Sequence, residues 1–205
     1  MSRETLHLLL GMNHDRLETQ IALQCAPLLT GMKISNLLTV SAGKAREVMR
    51  IFARTAISCY ILYESEDKVT FLLYRPSALL AYLAKEDTGQ LMAEFGYRDW
   101  ELTQILARVS EKYRAHMDGR CGFPHEIGLL LGYPASDVLG FIEHKGKNYL
   151  CTGYWKVYSN QAECKRIFRG YSQARDRLIH MVSHGMCIAD ILEIYEMHQY
   201  KAMTI

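Results

Sequence analysis

Four prolines, two tryptophans and a net charge of +2 leave several protein classes without support. No apolar run reaches the ~20 residues a membrane-spanning helix needs. The short stretch from Leu6 to Met12 is broken by His7, and no small-residue cleavage site follows it. The six cysteines, at positions 25, 59, 121, 151, 164 and 187, form no CxxC pair, which removes zinc ribbons and thioredoxin-type motifs. Their scatter, with no secretory signal, implies reduced thiols and a cytoplasmic location. No Gly-rich turn joins a strand to a helix, so a Rossmann-type nucleotide site is not indicated. The pair His125-Glu126 is not continued into HExxH, because position 129 is Leu129. His180 and His184 share a helical spacing without a carboxylate or cysteine beside them, so no metal site is assigned. The small net charge, with Glu163 and Asp176 diluting the basic stretch Lys165–Arg177, argues against nucleic acid as a partner.

What is present is the composition of a globular domain: 49% apolar and 22% charged residues over 205 positions. Leu17, Ile21 and Cys25 make one face of a helix opened by Asp15, which Pro27 is expected to interrupt, or else to begin a new turn. "SNLLTV" at 35–40 reads as a strand, and 43–55 as a helix with Val48, Ile51 and Phe52 inward. In 58–76, two aromatic and β-branched runs flank a charged turn, which is a hairpin pattern ended by Pro76. Further helices follow Pro76, Thr88, Asp99, Pro124 and Ser136, and 148–159 reads as one strand. Asn160 with Glu163 reads as a capping box for a long helix to His184, stopped by Gly185 before a last helix. The fold class is therefore α+β, a small and mostly antiparallel sheet of about four strands packed with several helices. The expected organisation is a flexible N-terminal segment 1–14, a single α+β domain over 15–198 and a tail at 199–205.

Two stretches carry candidate chemistry. Cys25 precedes Pro27, and "PLLTGMK" can begin a helix there; a thiol at a helix N-terminus is activated by the dipole, with Lys33 as added positive charge. The same Cys25 also continues the Leu17–Ile21 face, which makes it a core residue. In "CGFPHEIGLLLGYP", Pro124 places His125 and Glu126 in a first helical turn, with Cys121 and Gly122 in the loop before them. That arrangement suits an anion or a thiol–imidazole pair, and it equally suits plain helix punctuation. In "GYWKVY", Trp155 and Val157 alternate with Tyr154, Lys156 and Tyr158, an aromatic surface with a lysine that can stack a planar ligand or pack under a helix.

"CAPLLTGMKISNLL", "YRPSALLAYL", "CGFPHEIGLLLGYPASDVLGFI" and "GYWKVYSN", in that order, resemble the DUF3793 family of bacterial proteins, found mainly in Firmicutes. The resemblance spans roughly residues 20–195. It implies a single-domain cytosolic bacterial protein of unknown function and supplies no catalytic residues. One departure is that Gln24 precedes Cys25 where the family is expected to favour His, which removes an imidazole neighbour from that thiol.

Two functions follow from the residues. One is a small-ligand-binding or regulatory protein whose pocket is lined by the aromatic strand 149–158 and the turn 123–134. The other is a thiol-dependent enzyme, performing acyl transfer or hydrolysis on a small substrate. In it Cys25 is the nucleophile, His125 the base, Glu126 its orienter, and Lys33 or Arg75 an anion clamp. Cys121, Tyr154, Trp155 and Lys156 are the further ligand-binding candidates. No cofactor and no oligomeric state can be assigned from the sequence.

Overall fold

The computed structural model describes residues 2–98 and 101–203, with side chains to Met197. At its centre is a three-stranded antiparallel sheet, β1 (Ser35–Ser41), β2 (Ser58–Glu64) and β3 (Lys68–Tyr74), in the order β1-β3-β2. β3 is buried between its partners and is almost wholly apolar, as a central strand must be. Leu38 pairs with Phe71 and Leu37 with Leu72, so alternate residues of each strand face opposite layers of helices.

On one face lie α2 (Leu17–Leu29), α3 (Ala45–Phe52), the C-terminal half of α9 (Gln161–Ser183) and α10 (Ile188–Met203). Ile21, Cys25 and Leu28 of α2 meet Leu38, Phe71 and Leu73 of the sheet and Leu178 of α9 in a dry aliphatic core. The other face carries α4 (Pro76–Leu83), α5 (Glu86–Glu94), α6 (Leu102–Met117), α7 (Glu126–Leu130) and α8 (Ala135–Glu143). A bulge between Ile61 and Tyr63 turns both Leu62 and Tyr63 toward α6, where the Ser110 hydroxyl donates to Leu62 O at 2.9 Å and Tyr63 meets Tyr113 edge-on. The Ser35 hydroxyl ties β1 to α7 by donating to Leu130 O.

Several expectations are corrected. Pro27 lies inside α2 and does not interrupt it. The helix ends two residues later, where the Thr30 hydroxyl and the Lys33 N–H take up the carbonyls of Ala26 and Pro27. The 148–159 segment holds a two-stranded ribbon, β4 (Cys151–Thr152) and β5 (Lys156–Val157), separate from the main sheet, which therefore has three strands. Asn160 adopts a left-handed conformation and makes no side-chain cap, while Glu163 pairs with Arg166. Residues 3–11 of the segment expected to be flexible form α1 (Arg3–Gly11), capped by the Ser2 hydroxyl and packed on α9. The expected tail is helical in its backbone to Met203. Asp99 lies outside the described residues; α6 begins at Leu102 and is capped by Glu101, whose N–H donates to the Gln104 side chain at 2.8 Å.

β1 is an edge strand, and its open side is covered by Gln24. The Gln24 amide accepts from Thr39 N at 3.1 Å and donates to Thr39 O at 3.3 Å, standing in for a fourth strand.

Candidate functional site

Between α7, α8, the ribbon and β1 the structure leaves a cavity of about 250 Å³. That is just below the ~300–1,000 Å³ typical of small-ligand sites. Its floor is aliphatic, from Leu37, Ile127, Leu131 and Val138, and its walls are the rings of Phe123, Tyr133, Phe141 and Trp155. Of the residues singled out from the sequence, His125, Trp155 and Lys156 meet here.

One carboxylate of α8 gathers most of the hydrogen bonds that hold the ribbon. Asp137 is buried, and its Oδ1 accepts from the backbone N–H groups of Tyr158 and Ser159, each at 2.8 Å. Oδ2 accepts from Trp155 Nε1 at 2.7 Å, with the Cys164 thiol at 3.7 Å. A buried carboxylate surrounded by donors in this way has its hydrogen bonds met inside the protein. Gly140 makes the close approach possible, because a Cβ there would lie 2.6 Å from Tyr158 Cβ. Trp155 then stacks on Tyr133, with centroids 4.9 Å apart, and meets Phe168 edge-on at 4.5 Å. Tyr133 is fixed in turn, its hydroxyl donating to Tyr154 O at 3.3 Å and its own carbonyl accepting from the Tyr82 hydroxyl at 2.5 Å.

Two polar groups of the cavity wall are less committed. Lys156 Nζ donates to Gly146 O at 2.7 Å and lies over the rings of Tyr149 and Phe141, at 5.1 and 5.6 Å. The His125 ring stands between Phe123 and Phe141, with centroids at 6.1 and 5.6 Å, and among the described residues neither ring nitrogen has a protein hydrogen-bond partner.

The Cys25–His125 pair is not assembled. Cys25 is fully buried in the aliphatic core on one face of the sheet, whereas His125 lines the cavity with Leu37 and Ile127 on the other. Cys25 sits near the C-terminal end of α2 and not at a helix start, so the dipole opposes a thiolate there. Burial pushes its thiol up to about 12, against the smaller opposing pull of Lys33 and Asn36. Lys33 is itself buried, with Nζ on Asn36 Oδ1 at 3.0 Å, and burial lowers its ammonium to about 8.

Glu126 does not orient His125. It is 3% exposed and accepts from Lys112 Nζ at 2.6 Å and the Tyr97 hydroxyl at 2.8 Å, which ties α7 to α6. α7 has only five residues, so the expected first-turn anion site has little helix behind it. Arg75 is half-buried near the end of α2, with Nη2 3.4 Å from Leu28 O. Cys121 is exposed and its thiol points to Lys112 O at 3.5 Å; Tyr154 packs on Tyr171 and Phe168. None of these three lines the cavity.

Sequence reasoning missed Asp137, Phe141 and Leu37. Asp137 reads as an ordinary first-turn acid, and nothing in its neighbours marks it as the anchor of a segment 18–22 residues downstream. Phe141 and Leu37 read only as apolar positions of a helix and a strand. Among the described residues, no group of three His, Cys, Asp or Glu side chains could hold a metal ion, and no helix is long and apolar enough to cross a membrane.

No curated protein and no solved structure matches the chain. A family model described as a protein of unknown function, DUF3793, matches residues 21–192, from the second turn of α2 into α10, and the chain belongs to that family.

Proposed function

We propose that this protein binds a small organic molecule in the cavity between α7, α8 and the β4–β5 ribbon, and serves as a ligand-binding or regulatory protein. The observation that carries the reading is that an aromatic-walled space of about 250 Å³ is held open by groups committed to holding it. Asp137, Trp155 and Tyr133 are locked by hydrogen bonds and stacking, so the cavity is preformed. The thiol reading loses its support, since His125, the base it needs, lies on the other face of the sheet and burial holds Cys25 protonated.

A fragment screen by saturation-transfer NMR tests this, run in parallel on the wild type and on Leu37→Trp, which places an indole in the cavity. Small aromatic fragments are expected to bind the wild type and to lose contact in the filled variant. Equal binding to both proteins, or no binding to either, sinks the reading.

A further inference from the structure

The polar groups around the cavity differ in how much hydrogen-bonding capacity they retain. Asp137 faces the cavity from α8, yet its two oxygens already accept from Tyr158 N, Ser159 N, Ser159 Oγ, Trp155 Nε1 and Cys164 Sγ. A carboxylate offers about four lone-pair sites, so little acceptor capacity is left for a ligand. The Trp155 N–H and the Tyr133 O–H proton are likewise spent on Asp137 and on Tyr154 O. The side-chain donors that remain on the wall are two. Lys156 has an ammonium with three N–H bonds and, among the described residues, a single protein acceptor, Gly146 O. His125 has a ring with no protein hydrogen bond among the described residues. Both stand beside the same ring: Phe141 lies 5.6 Å from the His125 centroid and 5.6 Å from Lys156 Nζ.

An otherwise apolar cavity with one available ammonium and one available imidazole at a common wall complements a molecule with a flat apolar body and one anionic or strongly accepting end. We propose, resting on the cavity reading above, that the ligand is a small flat carboxylic acid. Its ring system lies against Phe123 and Phe141, and its carboxylate takes hydrogen bonds from Lys156 and His125. The aromatic rings around Lys156 lower the local polarity, which strengthens a charge-assisted hydrogen bond relative to one in water. A cationic ligand is disfavoured, because it meets Lys156 and finds the Asp137 oxygens already occupied.

Three probes that share one ring system decide the matter: 2-naphthoate, 2-naphthamide and 2-naphthylmethylammonium, titrated calorimetrically into the full chain. The acid is expected to bind roughly tenfold tighter than the amide, the yield of one charge-assisted hydrogen bond. The ammonium probe is expected to bind weakest. In Lys156→Met, which keeps the aliphatic stem, the acid's advantage is expected to fall to about twofold or less. The proposal is overturned if the amide or the ammonium matches the acid in the wild type, a comparison that needs no variant. It is also overturned if the acid's advantage survives in Lys156→Met with the fold intact by circular dichroism. Fragments that bind the wild type and lose contact in Leu37→Trp, with no preference for acids, would overturn the ligand class and leave the cavity reading standing. Absence of any binding sinks both.

Discussion

Both faces of the central sheet carry a buried apolar cluster, yet the aromatic-walled cavity lies on one of them, the α7–α8 face. On the α2 side, Ile21, Cys25, Leu28, Leu38 and Phe71 are fully buried in one aliphatic cluster, and Lys33 donates to Asn36 at its edge. On the α7–α8 side, α7 and α8 are short, the ribbon belongs to no larger sheet, and the rings of Phe123, Tyr133, Phe141 and Trp155 stand over an aliphatic floor. Branched side chains interdigitate and leave few voids, whereas rings held edge-on or stacked by hydrogen bonds at their rims cannot collapse inward. The comparison teaches where to seek function in this chain. Its most chemically provocative residue, Cys25, is inert because it lies in the well-packed half, and its cavity is where rigid aromatic groups are propped apart.

The largest expected effect tests the prop. Asp137→Ala leaves the Trp155 N–H and two backbone N–H groups without their acceptor. It is expected to cost about 4 kcal/mol in urea denaturation, the scale for removing the shared partner of several buried donors. A loss below about 1 kcal/mol would show that the ribbon does not depend on that carboxylate.

The next concerns the closed face. Lys33 carries a burial penalty while it is charged, so Lys33→Met is expected to raise stability at neutral pH by up to about 3 kcal/mol. The sign follows from linkage. Burial lowers the folded ammonium from its ordinary 10.5 to about 8. Below pH 8 both folded and unfolded chains hold the proton and the penalty is complete; between about 8 and 10.5 the folded protein releases it first and the penalty is relieved. The difference between variant and wild type should therefore shrink as pH rises through that window. The Cys25 thiol works in the opposite sense, its contribution being full below pH 9 and lost toward 12, but it is present in both proteins and largely cancels. A stability difference that is flat from pH 7 to 10.5 would contradict this account.

The smallest effects belong to the surface thiols. Cys121→Ser and Cys187→Ser, at exposed positions, are expected to change stability by no more than about 0.5 kcal/mol. In the native chain, iodoacetamide followed by peptide mass spectrometry should modify Cys121 and Cys187 ahead of Cys25, which reacts only on unfolding. Rapid native labelling of Cys25 would erase the contrast between the two faces.

Much of the architecture was legible in the sequence. The hairpin of β2 and β3, the inward faces of α2 and α3, Pro76 at the start of α4 and the extent of α9 all follow from patterns local to each segment. Half of the cavity was legible too, since the turn carrying His125 and the strand carrying Trp155 and Lys156 were expected to line one pocket, and they do. The failures were of a different kind. Pro27 sits in the last turn of α2, where Thr30 and Lys33 absorb the helix end, so a rule for helix interiors misjudged it. Glu126 was read with its neighbour His125, while its partners are Lys112 and Tyr97 on distant segments.

The sequence by itself determined the α+β class, the order of most elements and which residues are apolar enough to be buried, because periodicity and turn chemistry act over a few residues. Only the tertiary structure decided that Cys25 and His125 face away from each other across the sheet, that Asp137 anchors the ribbon, and that Lys156 and His125 share the ring of Phe141. Those facts depend on which face of a strand each helix covers, a choice set by packing between segments far apart in the chain and written in none of them alone.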